Sequence, residues 1–252
     1  MLDRVARRIV DPLLEPPAAW LDRLGVSATT VTVAGFFAGI AACGALACRE
    51  YHWALLLIVA NRVADGLDGA VARRTAASDW GGYLDSVCDT IFYAAVPLGF
   101  AVGAPEHWLP AFCLAHSFSG TGGSFLTFAI MLAKRRSAGH TTPMAKSASE
   151  FAVVAATTTT TALAATGEKS FPYHRGLMEG TETIAFFVAF CLAPSWFALL
   201  AWTFTALCWM TTATRVAMAW HAFHELPHSS RGEIGDGVGS PSYPERQELT
   251  KL

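Results

Sequence analysis

The chain has 252 residues, of which 53% are hydrophobic and 15% charged, with a formal net charge of −2. Soluble domains carry about 25% charged residues, so solvent-facing side chains are scarce here, and the charge balance offers no basic field to a nucleic-acid backbone. These figures exclude a disordered chain, a disulfide-rich secreted module and a nucleic-acid binder; they suit an all-α polytopic membrane protein, in which six spans of about 20 residues would use roughly half the chain.

The first predicted element, residues 1–24, is an amphipathic juxtamembrane segment. Leu2, Val5, Ile9 and Leu13 fall at helical spacing, with Asp3, Arg4, Arg7 and Arg8 between them, as in a helix lying on a membrane surface. Asp11 and Pro12 interrupt the apolar run too early for a signal peptide. Residues 25–224 then read as a six-helix transmembrane domain. The predicted spans are Thr30–Leu46, His52 to about Ala72, about Gly82 to Val102, His107–Ala133, about Gly176–Leu192 and Trp196–Ala222, with tryptophans 53, 108, 196 and 220 near their ends. Residues 137–172 read as a cytoplasmic insertion containing a Thr/Ala tract, and residues 225–252, rich in Gly, Ser and Pro, as a disordered tail.

The positive-inside rule gives an orientation. Of the 18 Lys and Arg residues, only Arg49 falls in an outward connection, so both termini are expected on the cytoplasmic side, as in a protein of a bacterial cytoplasmic membrane. The six cysteines all lie in apolar stretches, and none forms C-x-x-C, so they read as buried thiols acting as small hydrophobes.

Chemistry concentrates in Asn61–Asp89, where Asp65, Asp68, Asp85 and Asp89 terminate two otherwise apolar segments. Carboxylates at membrane depth are costly and mark function. Four of them together require compensating positive charge. Asp65, Asp68, Gly69 and Ala72 share one helix face, and Gly81, Asp85 and Asp89 repeat every fourth residue on the next. The short connection predicts antiparallel neighbours whose hard oxygens face each other as a Mg²⁺ or Mn²⁺ site. Gly69 and Ala72 leave room for a ligand near the backbone, and Arg73 supplies a bidentate phosphate donor.

This stretch resembles the signature of the CDP-alcohol phosphotransferases, D-x-x-D-G-x-x-A-R followed by G-x-x-x-D-x-x-x-D. The chain supplies Asp65, Asp68, Gly69, Ala72 and Arg73, then Gly81, Asp85 and Asp89, so all eight specified positions match, with a gap of seven residues instead of the usual eight. The resemblance implies an integral membrane enzyme of phospholipid biosynthesis. It would transfer a phosphatidyl group from a CDP-alcohol, commonly CDP-diacylglycerol, to an acceptor hydroxyl that attacks the β-phosphorus, and CMP leaves. By the same resemblance Asp65, Asp68 and Asp85 hold metal, and Asp89 completes the site and serves as general base. Asn61, Asp65, Gly69, Ala72, Arg73 and Gly81 border the CDP moiety, and the active site faces the cytoplasm. The alternatives are an aminoalcohol phosphotransferase that joins a small CDP-alcohol to diacylglycerol and, outside enzymology, a cation transport protein.

Glu179, Thr181 and Glu182 open the predicted fifth span and could bind the acceptor, although acids at a helix N-terminus also suit the macrodipole. Lys169, His174 and Arg175 just before them could bind an anion or serve as an ordinary basic flank. Residues 117–124 form a small-residue patch suited to close helix packing. Gly35 and Gly39 form G-x-x-x-G, which serves either a homodimer face or packing within the chain. His116 and Arg215 are polar residues within spans, candidates to line a common cavity.

Overall fold

The computed structural model describes residues 3–75, 77–137 and 180–224, all of whose regular elements are helical. The helices are α1 (Asp3–Arg23), α2 (Ala28–Ala47), α3 (Tyr51–Arg74), α4 (Asp79–Gly103), α5 (Trp108–Ser137), α6 (Gly180–Leu192) and α7 (Phe197–His224), with single 3₁₀ turns at Pro105–His107 and Pro194–Trp196. A helix stands at each of the six places where a span is expected. Among the described residues, three stretches, Ala28–Ala47, Asp79–Gly103 and Pro194–Phe223, are long and apolar enough to cross a membrane. With 24 and 30 residues, α3 and α5 do not lack length; Arg62, Asp65 and Asp68 dilute the one, and the Ser/Thr/Gly patch dilutes the other. α6 is apolar but has only 13 described residues. The 137–172 insertion, apart from its first residue, and the tail lie outside the described residues, as do Lys169, His174, Arg175 and Glu179.

Local chemistry sets the helix ends. Ser27 and Ser78 cap α2 and α4, accepting hydrogen bonds from the backbone N–H of Thr30 and Gly81. α1 ends at Gly25, whose φ of 71° lets the N–H groups of Gly25 and Val26 return to Asp22 and Leu21. α2 ends on the same motif with Arg49 in the left-handed position at φ 63°, where Arg49 and Glu50 donate to Leu46 and Ala45. The strain of a side chain there is offset by a 2.6 Å hydrogen bond from Arg49 Nε to the Gly103 carbonyl at the end of α4.

α2 organises the bundle. It packs along both α3 and α4, whereas α3 and α4 barely touch each other. The expectation that the two acid-bearing helices are close antiparallel neighbours is therefore corrected: they are splayed, each held by α2, and the gap between them holds the acids. Glycines permit these crossings. A Cβ on Gly35 would come 2.7 Å from Ala64 Cβ, one on Gly39 would come 2.7 Å from Phe92, and one on Gly99 would come 2.8 Å from the Cys43 carbonyl. Both glycines of G-x-x-x-G thus serve contacts within the chain. Below the gap lies an aromatic core of Phe92, Phe100, Phe187, Phe190, Phe197 and Phe204, with Phe100 stacked on Phe197 at 4.2 Å. Where lipid is as apolar as the core, such interdigitation holds helices together mainly by dispersion.

α1 packs on the far end of α3. Leu14 and Ala18 are buried against Ala70 and Val71, Leu14 occupies the notch left by Gly66, and Arg74 lies 3.4 Å from Glu15 and 3.5 Å from Asp22. Val10, Leu13, Trp20 and Leu24 remain exposed on its outer side. α5 packs on α7: Gly120 admits Trp209 at 3.1 Å from its would-be Cβ, so the patch serves close packing there, whereas Gly122 and Gly123 face open space.

The crossings predict contrasting effects of one methyl group. Gly99→Ala should destabilise the detergent-solubilised protein by about 1–3 kcal/mol through overpacking. Gly44→Ala, with nothing within 4 Å of the new carbon, should be neutral or stabilise by about 0.5–1 kcal/mol through helix propensity. Thermal unfolding of the pair checks this.

Candidate active site

The splayed ends of α3 and α4 form a pocket walled by α2, lined by Thr32, Gly35, Phe36, Asn61, Arg62, Asp65, Asp68, Asp85, Cys88 and Asp89. All four signature aspartates reach it, but in different ways. Carboxylate oxygens of Asp65, Asp85 and Asp89 lie within 4.8 Å of one another. Asp68, 4% exposed, stands beside this trio and accepts a 2.6 Å hydrogen bond from Thr32 Oγ1. Thr32 is also 3.1 Å from the Ala28 carbonyl; its single proton serves the shorter, charge-assisted contact.

One cation enters the cluster. Arg62 donates from Nη2 to Asp89 Oδ1 at 2.6 Å, and its Nη1 lies 3.6 Å from Asp65 Oδ2. Its Nε donates to Asn61 Oδ1 at 2.8 Å, and Asn61 in turn donates to the Gly35 carbonyl at 2.8 Å. Asp85 is 4% exposed, and among the described residues its Oδ2 has no hydrogen-bond partner. A buried carboxylate oxygen without a donor is costly, and three converging acids share a single guanidinium. The donor set, all hard carboxylate oxygen with charge left uncompensated, fits a divalent cation such as Mg²⁺ or Mn²⁺.

Of the remaining expected site residues that the structure describes, Asn61 lines this pocket, whereas Gly69, Ala72, Arg73, Gly81, Thr181 and Glu182 are not among its lining residues. Gly69 and Ala72 are buried on α3, and Arg73 is exposed at its end. Gly81 lies in the first turn of α4 with its N–H taken by Ser78. Asn61 is in the pocket wall, with both ends of its amide engaged by the protein. Thr181 and Glu182 open α6, whose first residue, Gly180, would place a Cβ 4.0 Å from the Tyr93 hydroxyl; Tyr93 itself lies 3.4 Å from Arg62 Nη1. His116 packs between Phe112 and Trp209, while Arg215 donates to the Thr121 carbonyl at 2.8 Å and lies over Phe125. Thr32 and Tyr93 escaped sequence reasoning as parts of the site, whereas Arg62 was legible as a nearby ion-pair partner of the acids, and it pairs with Asp89 and Asp65. Arg62 offered a signal, since a cation three residues before Asp65 shares its helix face; Thr32 and Tyr93 offered none. An apolar cleft of about 370 Å³, lined by residues including Leu21, Val31, Ala34, Ala38, Ala60 and Ala64, opens beside the pocket and shares Gly35 with it.

The family model described as CDP-alcohol phosphatidyltransferase matches residues 26–212. The chain is 43% identical over 219 residues to the inner membrane protein YnjF of Escherichia coli, a match that covers 86% of this chain and 94% of that one. It is 39% identical over 126 residues to a phosphatidylinositol phosphate synthase of Streptomyces avermitilis, covering 46% and 51% of the two chains. Its fold is similar to that of the Mycobacterium tuberculosis phosphatidylinositol phosphate synthase solved with CDP-DAG bound, with a TM-score of 0.56, 18% identity and coverage of 83% and 94% of the two chains.

Two measurements test this site. Mn²⁺ at a hundredfold excess over its Kd should stabilise the purified protein by about 2.7 kcal/mol, the linkage expected of a ligand that binds only the folded state, and Asp85→Asn should abolish most of that gain in a thermal melt. Thr32→Val should cost about 1.5–3 kcal/mol, the range for a hydrogen bond to a charged group, but little in an Asp68→Ala background; equal losses in the two backgrounds in unfolding experiments would break the assigned coupling.

Proposed function

The chain belongs to the CDP-alcohol phosphatidyltransferase family, and on that premise we propose that it transfers a phosphatidyl group from CDP-diacylglycerol to an acceptor alcohol and releases CMP. The observation that carries this reading is the convergence of Asp65, Asp85 and Asp89 within 4.8 Å at a pocket that also contains Asp68. In this reading the protein is an integral membrane enzyme with six spanning helices. α1 lies on the cytoplasmic surface, and exposed Val10, Leu13, Trp20 and Leu24 on its outer side support that placement. Both termini and the acid pocket face the cytoplasm.

Asp65, Asp68 and Asp85 would hold the divalent cation, with Asp89 completing the set. When bound, that ion supplies neutralisation of phosphate charge and orientation for in-line displacement. Gly69, Ala72, Arg73 and Gly81 border the CDP moiety, and Asn61 shapes the wall behind it. The apolar cleft that meets the pocket at Gly35 suits an acyl chain of the donor. Asp89 takes the proton of the acceptor hydroxyl; the resulting oxygen attacks the β-phosphorus, the bond to the CMP oxygen breaks, and CMP departs. Proton removal by a positioned carboxylate contributes about 10²–10⁴-fold. Thr181 and Glu182, in the first turn of α6, would meet the acceptor.

The test is release of CMP from radiolabelled CDP-diacylglycerol by purified protein, with Mg²⁺ or Mn²⁺ and a panel of alcohols that includes inositol phosphate, for which the Streptomyces relative is named. Turnover should require the metal and one alcohol, and Asp89→Asn should lower kcat by about 10²–10⁴-fold. Release of CMP only from CDP-choline with diacylglycerol would reverse donor and acceptor. Ion flux through liposomes without CMP release would replace the enzyme by a transporter.

A further inference from the structure

Arg62 stands outside the eight specified positions of the signature, yet it is the described cation paired with the acid trio. Its placement is fixed on every side. Asn61 Oδ1 takes its Nε at 2.8 Å, and Asn61 cannot turn over freely because its amide nitrogen holds the Gly35 carbonyl on α2. The guanidinium lies 4.7 Å from the Phe92 ring centre and 5.5 Å from that of Tyr93, within range of cation–π attraction. Gly39 makes the arrangement possible: a Cβ there would come 2.7 Å from Phe92 and 3.1 Å from Asn61 Nδ2. The chain of contacts runs from the α2 backbone through Asn61 and Arg62 to Asp89 Oδ1 at 2.6 Å. A planar, multi-donor fork suits this task; a lysine would supply the charge as a single mobile point.

We propose that Arg62 is a positioning residue for Asp89: a tethered cation that fixes the direction of that carboxylate and lowers the acid cluster's grip on divalent ions. The catalytic half of this inference rests on the transferase reading; the metal-binding half does not. The two effects oppose each other. A positive charge this close to two of the three converging acids repels a second cation, so removing it strengthens metal binding. It also frees Asp89 to rotate, so turnover falls. A residue that merely supported the fold would lower both together.

The experiment uses the full chain in detergent, with free Mn²⁺ measured by electron paramagnetic resonance and CMP release assayed separately. Arg62→Gln should bind Mn²⁺ about tenfold more tightly, the direction set by loss of a nearby like charge. Its kcat should fall about a hundredfold, the scale of a misplaced catalytic group, with KM for CDP-diacylglycerol little changed. Arg62→Lys should keep wild-type Mn²⁺ affinity and still lose turnover. Weaker Mn²⁺ binding in Arg62→Gln, or full turnover in Arg62→Lys, would overturn the proposal; if the glutamine variant does not fold, the lysine variant decides alone. If wild-type protein binds Mn²⁺ but releases no CMP, the transferase reading fails, while the Mn²⁺ affinities still decide whether Arg62 opposes the metal.

Discussion

The structure depends on how negative charge is tolerated inside an apolar bundle. Three carboxylates converge at the gap between α3 and α4, a fourth lies beside them, and one guanidinium enters the group. In a low-dielectric setting, like charges at such separations repel strongly unless something offsets them. The protein answers locally in two ways, a hydroxyl for Asp68 and an arginine for Asp89 and, more distantly, Asp65, and among the described residues nothing donates to Asp85 Oδ2. That remainder is charge of the kind a divalent cation would offset, which is why the transferase reading places the metal here.

This requirement explains the role of α2. Two helices bearing facing acids gain little by packing on each other, and α3 and α4 do not do so. They need a third element to hold them at a fixed spacing. α2 meets that need with small residues at its crossings, Gly35 against Ala64 and Gly39 against Phe92 and Asn61. It also contributes Thr32 and the Gly35 carbonyl to the polar wall. The helix that contributes none of the signature acids thus sets the geometry of those that do.

Much of this was legible in the chain. Hydropathy and the Trp distribution mark helices at the right places, and the spacing of Asp65, Asp68, Asp85 and Asp89 announces converging acids, three of which lie within 4.8 Å of one another. The splay of α3 and α4 was not legible, because a short connection ordinarily implies direct contact and only the tertiary position of α2 says otherwise. Thr32 reads as one more threonine in an apolar helix until α3 brings Asp68 to it. Gly35 and Gly39 carry a pattern that suits contact within or between chains, and the partner is decided by residues more than about 20 positions away. Arg62 reads as one of several cations able to pair with the acids; what singles it out, the Phe92 and Tyr93 rings and Asp89, comes from α4 and is not visible in the sequence of α3.

The composition of α3 has a consequence for biosynthesis. A charged residue at the centre of an isolated helix resists entry into lipid by about 2.5–3.5 kcal/mol, and the second half of α3 carries Arg62, Asp65 and Asp68. Such a segment has little reason to leave the translocation channel alone. Its hydroxyl and carbonyl partners on α2 emerge from the ribosome first, but Asp89, Phe92 and Tyr93 on α4 arrive only later. On the six-span reading, the nascent α3 is therefore expected to wait at the channel until its successor is made, so that α2, α3 and α4 enter the bilayer together, with Asp89 already beside Arg62.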